Sequence, residues 1–500
     1  MKLPSPSRWR AAFATALAVV VALAPVHAQL PQLGDPSEMS SGAERKLGER
    51  IARELYRDPD YIDDPVLVEY VQAIWEKLLD AARARGELTP ELDERFAWQV
   101  MMGKDRVVNA FALPGGWLGL NSGLVAVTAN RDELASVLAH ELSHVTQRHI
   151  SRMVTQEKQM APWMVAAMVL GALAATRNPN MGGAVMMGGQ AGLLQQQLNY
   201  SRDMEREADR VGFGVATQAG FEPQGFVTMF EKLQQAARLN DSGLYPYLRT
   251  HPMTTERAAD MQSRQQLVPR TAIQPTLEHA MIAARAKVYS NPNVDALRGM
   301  VGEAEATALA SQPRPRQAAV LYAGVMSAAR LRDGAKVTQL QAKLDAAVAG
   351  DPAAARTARL LAAENAQARQ DWPRVLQLVD TASERRPELL LTTQAWSQTG
   401  RARDASQRLQ SWVATHPRDA TAWQLLSAAY QAQGQALRAV RADAEAKVAQ
   451  LDYPAAVDRF KAAQDMVRKG AGGNDYIEAS IIDTRARQVE SLAREQALER

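Results

Sequence analysis

His140-Glu141-Leu142-Ser143-His144 decides the reading of this chain. A helix turns about 3.6 residues per turn, so two histidines four apart share one face and the carboxylate after the first lies beside them. Neutral imidazoles suit zinc, and a carboxylate next to a metal-activated water supplies the base that metal-assisted peptide hydrolysis needs. The flanks predict a helix: Asn130 followed three residues later by Glu133 resembles a capping box, and Leu134, Val137, Leu138 and Val145 recur at helical spacing. Two structural histidines on an amphipathic helix are the alternative. His149, five beyond His144, extrapolates to another face and reads as a surface or helix-end residue.

A catalytic zinc commonly takes three protein ligands and leaves one position for water. Glu205 and Asp209 are four apart and share a helix face, while Glu207 between them points elsewhere. Glu205 is the candidate third ligand, and Asp209 the candidate acceptor for the outer N–H of a ligand histidine. By spacing alone, a solvated charge run on a surface helix is the better reading.

Four ordered motifs resemble the zinc metallopeptidases of family M48. They are Asn109-Ala110-Phe111-Ala112-Leu113-Pro114-Gly115-Gly116, the His140–His144 motif, Ser201-Arg202 with Glu205, Glu207, Ala208 and Asp209, and Thr250-His251-Pro252 with Arg257. The resemblance implies an α+β, gluzincin-like metallopeptidase with one Zn2+ per chain. His140, His144 and Glu205 would be the ligands, Glu141 the general base, and Asp209 the carboxylate behind the ligands. It leaves two roles open for His251. As a regulatory fourth ligand it would plug the metal and exclude water; otherwise it would bind substrate or stabilise the oxyanion, a role for which Arg257 is a weaker candidate.

Lys2, Arg8 and Arg10 precede an uncharged run from Ala11 to Ala24, followed by Val26-His27-Ala28. This pattern predicts a signal peptide over 1–28, cleaved near Ala28, because 14 residues span a bilayer poorly. Its removal leaves 55 basic against 55 acidic residues, so the basic pI of the whole chain implies no nucleic-acid partner. There is no cysteine, hence no disulfide framework and no thiol nucleophile. Export without disulfides, behind a bacterial-looking leader, predicts the periplasm.

Helices are predicted over Ser37–Tyr56 and Pro65–Ala84, and strands over Phe96–Met102 and Val107–Leu113. Pro114-Gly115-Gly116 breaks the second strand, and an extended pattern resumes over Trp117–Val127. Val107–Ala112 is the candidate edge for pairing with an extended peptide substrate; an internal strand is the alternative. Met160–Thr176 carries no charge and Met181–Gly192 is rich in methionine and glycine. Residues 160–199 therefore read as a flap with peripheral membrane or client contacts, or as a buried helix followed by a loop.

Beyond about residue 270 alanine, glutamine and arginine dominate at helical spacing. Trp423, Leu426, Tyr430, Ala439 and Ala446 follow the tetratricopeptide pattern with Ser427 at the glycine position, and Ala456, Phe460 and Ala463 repeat its second helix. Pro352, Pro387 and Pro417 are separated by 35 and 30 residues, near the period of about 34 for such repeats. The expected organisation is a signal peptide (1–28), a peptidase domain (29–268), connecting helices (269–310), an all-α tetratricopeptide-like solenoid (311–480) and a terminal helix or tail (481–500). In that order these parts resemble the periplasmic M48 peptidases of outer-membrane protein assembly. The resemblance implies proteolysis of stalled or misfolded outer-membrane clients, a chaperone-like role, and docking to the barrel assembly machinery through the repeats. A non-proteolytic scaffold with a plugged metal site and a general scavenging peptidase remain the competing readings.

Overall fold

A computed structural model describes residues 39–156, 202–238, 245–268, 275–470 and 475–498. The leader expected over 1–28 and the 160–199 segment lie outside them. Helix α1 (Ser41–Arg57) starts at Ser40, whose hydroxyl accepts from the Ala43 N–H. After β1 (Tyr61–Ile62), α2 (Pro65–Ala84) begins at Asp64, which accepts from the Leu67 N–H at 2.8 Å; Pro65 takes the first turn, where no N–H is needed. The short α3 (Pro90–Arg95) leads into β2 (Gln99–Gly103), β3 (Ala110–Leu113) and β4 (Trp117–Asn121). The sheet runs β1-β2-β4-β3, with β2 and β4 parallel and both outer pairs antiparallel.

Pro114-Gly115-Gly116 makes the β3–β4 turn. Gly115 and Gly116 have φ of 72° and 83°, and a Cβ on Gly116 would lie 2.8 Å from that of Phe96. β4 is wholly buried, and its Gly119, opposite Phe111, leaves room for that ring. The extended pattern expected through Val127 stops at Asn121, because Ser122–Val127 is helix α4. A short buried apolar run suits either state, and here the backbone turns towards the metal-motif helix.

That helix, α5 (Arg131–Thr146), is buried at every residue from Asp132 to Thr146. Asn130 accepts from the Glu133 N–H at 2.9 Å, and Glu133 answers by accepting from the Ala129 N–H at 2.7 Å. Around α5 pack α2, β3, α7 (Arg202–Gln218) and α8 (Gln224–Arg238), while α6 (His149–Gln156) follows it directly. Two further helices, α9 (Tyr247–Thr250) and α10 (Thr255–Gln266), complete this part of the chain.

The remainder is a long series of helices in which neighbours along the chain pack against one another, from α11 (Leu277–Ser290) to Tyr476–Leu498. In the expected repeat, Leu426, Tyr430 and Ala439 are buried between the helices Ala420–Ala432 and Ala436–Ala449, and the Ser427 hydroxyl donates to the Ala439 carbonyl at 2.8 Å. A small residue at that crossing lets the two backbones approach. Ala456, Phe460 and Ala463 are fully buried in the next helix. α11 packs on α4 and α2, so Ile282, Leu360 and Leu391 share one core with Trp75 and Leu138. Among the described residues no helix is long and apolar enough to cross a membrane.

Candidate metal centre

α5 sets the His140 and His144 rings 4.7 Å apart, with their Nε2 atoms at 3.0 Å. What brings carboxylates to them is the packing of α7 against α5, closest at Gly212. A Cβ there would sit 3.0 Å from the Ala139 carbonyl oxygen and 3.1 Å from the His140 nitrogen, so any larger residue would push the two helices apart by a few tenths of an ångström. Asp209 and Glu205 lie one and two turns earlier on the same face of α7. Glu205 Oε2 is 3.5 Å from His140 Nε2, and its Oε1 is 3.4 Å from His144 Nε2. His251, at the end of α9, adds Nδ1 at 3.0 Å from Glu205 Oε1 and 3.3 Å from His140 Nε2.

The ligand atoms of these four residues all lie within 4.8 Å of one another, and all four side chains are buried. Zinc bonds of about 2.0–2.2 Å in a tetrahedron put ligand atoms roughly 3.3–3.6 Å apart, and the observed spacings fall around that range. Charge agrees. With neutral imidazoles, the buried Glu141, Glu205 and Asp209 face one buried guanidinium, Arg257, leaving two negative charges for a divalent cation to balance. The same demand lifts His140: burial opposes its charge, but bonds to Asp209 and Glu205 prevail and raise it to about 10. Burial also opposes ionisation of Glu205, yet His251, His140 and His144 hold it well below the usual carboxylate range.

Glu141 stands beside this group. Its Oε2 accepts from the Ala112 N–H of β3 at 2.9 Å, while Oε1 is buried without a hydrogen-bond partner among the described residues, 3.5 Å from His251 Nε2. Burial pushes this carboxyl up, against the pull of His251 and His140. Asp209 Oδ1 meets His140 Nδ1 at 2.9 Å, behind the ligand face. Arg257 grips Asp209 with two bonds of 2.6 and 2.7 Å, reaches Glu205 Oε2 at 2.7 Å and donates to the Pro252 carbonyl. Its donors face those carboxylates.

β3 is an outer strand of its sheet, as the expected edge requires, but it begins at Ala110 rather than Val107. Part of the expected Val107–Ala112 edge is already taken: Ala112 N–H serves Glu141, and the Val108 carbonyl, just before β3, accepts from the Tyr247 N–H at 3.4 Å. Tyr247 in turn stacks on His251 at 4.5 Å.

The placement of His149 also differs from expectation. α5 ends at Thr146, and Arg148, with φ of 53°, turns the chain back, so the helical extrapolation fails. His149 is fully buried, with Nδ1 2.8 Å from His144 Nδ1 and Nε2 3.0 Å from Glu207 Oε2. Burial, only partly offset by Glu207, lowers its pKa to about 4 and keeps the ring neutral near pH 7. The histidine was visible in the sequence, but the helix break that redirects it carries neither glycine nor proline.

Residues 67–265 match the model of peptidase family M48. This region is an M48 peptidase domain. The beta-barrel assembly-enhancing protease of Escherichia coli K12 is 33% identical over 258 residues, 51% of this chain and 51% of that protein. The beta-barrel assembly-enhancing protease of Yersinia pestis is 32% identical over 244 residues, 48% of each chain. Mitochondrial metalloendopeptidase OMA1 of Saccharomyces cerevisiae is 28% identical over 197 residues, 38% of this chain and 54% of that one. The chain spans about half the length of the beta-barrel assembly-enhancing proteases it matches.

Proposed function

We propose that the chain is a zinc-dependent endopeptidase of the periplasm that removes outer-membrane proteins stalled or misfolded in assembly. The observation that carries the chemistry is the Glu141 carboxylate, buried beside four converging donor atoms. His140, His144 and Glu205 would hold the metal, and Asp209 would fix the His140 ring from behind. Bound zinc supplies a Lewis acid that polarises a carbonyl and acidifies a water. Glu141 takes a proton from the attacking water and delivers it to the leaving amine nitrogen. The Ala112 N–H steadies the other carboxylate oxygen, so the base points inward before substrate arrives. The similarity to assembly-enhancing proteases supports the client class, the leader expected over 1–28 supports export, and the helical array is the surface for the barrel assembly machinery.

The function is tested with purified, zinc-loaded chain and an unfolded outer-membrane β-barrel as substrate. Internal cleavage that a chelator stops and zinc restores is expected; stoichiometric zinc without cleavage of any unfolded substrate refutes the peptidase reading. His251 supports a closed resting state, because its Nδ1 fills the place a fourth ligand would take. His251→Ala is then expected to raise basal cleavage, self-cleavage included, with zinc retained. A folded, zinc-loaded His251→Ala that cleaves an unstructured peptide more slowly than wild type makes His251 a substrate-binding or catalytic residue instead.

A further inference from the structure

We infer that His149 is a positioning residue of the metal centre, fixing His144 through its outer ring nitrogen and anchoring that hold on Glu207 and Arg152. The inference rests on the metal reading above and goes beyond its ligand set. His144 turns Nε2 towards His140 and Glu205, so its Nδ1 carries the proton and donates. His149 Nδ1, 2.8 Å away, must accept, which leaves its Nε2–H to donate to Glu207 Oε2 at 3.0 Å. Glu207 takes a second donor, Arg152 Nη1, at 2.8 Å. Every bond in the row therefore has one allowed direction.

The two ligand histidines are thus held differently. The outer nitrogen of His140 meets a carboxylate directly at Asp209, whereas the outer nitrogen of His144 reaches Glu207 through the His149 ring. The intermediary must accept on one side and donate on the other across the width of a ring, and neutral imidazole does both. Full burial and the backward turn at Arg148 mark His149 as a fitted part of the site.

The test measures zinc affinity by competition with a chromophoric chelator, the visible absorption of the cobalt-substituted protein, and circular dichroism. His149→Phe keeps the ring but neither nitrogen, and is expected to weaken zinc binding by about 10- to 100-fold and to shift the cobalt bands. His149→Asn, which restores an acceptor near the Nδ1 position, should recover most of that loss. Glu207→Gln should fall between them. A natively folded His149→Phe with zinc affinity within about threefold of wild type and an unchanged cobalt spectrum overturns the inference. If His149→Phe does not fold, Glu207→Gln decides: weakened zinc binding supports the relay and unchanged affinity overturns it. Failure of the wild type to bind either metal, with His140→Ala no worse, overturns the metal reading itself, a distinct outcome.

Discussion

Replacing Glu141 by glutamine isolates proton transfer from everything else this residue does. In the folded chain Oε2 accepts one hydrogen bond, from the Ala112 N–H, and the amide oxygen of glutamine can accept the same bond. Burial already disfavours the ionised carboxyl, so a neutral amide of the same shape should not destabilise the apo protein. What disappears is the acceptor for the proton of the attacking water. General-base catalysis contributes about 100- to 10,000-fold, or roughly 3–5 kcal/mol of barrier, and the loss should appear in kcat with zinc content unchanged. Glu141→Asp should also be severely slowed, because a side chain shorter by about 1.5 Å cannot hold the Ala112 N–H and still reach inward. The assay is initial-rate cleavage of an unstructured peptide by chain of measured zinc stoichiometry. A Glu141→Gln variant with full zinc occupancy and a rate within about threefold of wild type would refute the assignment.

Gly212→Val places side-chain atoms against the Ala139 backbone, which cannot yield as a flexible side chain would. The expected result is about 1–3 kcal/mol of lost stability together with weakened zinc binding, since α7 carries Glu205; a urea titration and the chelator competition check both. Arg285→Met leaves the buried Asp64 carboxylate without its guanidinium, at an expected cost of about 3–5 kcal/mol in urea unfolding, while zinc affinity, set elsewhere, stays the same. His279, buried with Nδ1 accepting from the Tyr70 hydroxyl, has its pKa lowered to about 4, chiefly by burial. A ring that protonates more easily when unfolded gives stability that is complete above about pH 6.5 and declines towards pH 4, by up to about 3 kcal/mol. His279→Gln should flatten that decline relative to wild type; parallel pH profiles would show that the ring contributes nothing.

The sequence was most legible where local chemistry determines the structure. Asn130 and Glu133 announce the start of α5, the four-residue histidine spacing defines a face, and the paired glycines after Pro114 mark a turn that no side chain would tolerate. Legibility failed where a buried run carries no period. Ser122–Val127 is apolar without alternation, so its helix could not be told from a continuation of β4. It failed again at Gln147-Arg148, where tertiary bonds select the conformation: Arg148 reaches Glu44 at 3.0 Å, and its backbone turns left-handed although it is not glycine. His149, misplaced by extrapolation, is the consequence. Gly212 gave no signal either, since its tight approach to the Ala139 backbone arises only when α7 meets α5.

The helical array is joined to the peptidase scaffold by more than a tether. Three guanidiniums of the array, Arg285, Arg386 and Arg356, meet Asp64, Asp63 and Glu69, which lie before and within the first turns of α2. Each is pinned from a second side, by Glu364, Asp419 and Glu388 respectively. The bidentate Arg285–Asp64 and Arg356–Glu69 pairs fix orientation as well as distance, and breaking a buried pair strands a charge. α2 also packs on α5, the helix that carries His140 and His144. The array and the metal helix therefore share one helix as a common support, so a load placed on the array reaches α2 before it can dissipate in a linker. Within this arrangement, an array that merely recruits clients would leave cleavage of a short peptide unchanged by the Asp64, Asp63 and Glu69 contacts. Should those contacts govern peptide cleavage at constant zinc occupancy, the coupling runs through α2 to the metal helix.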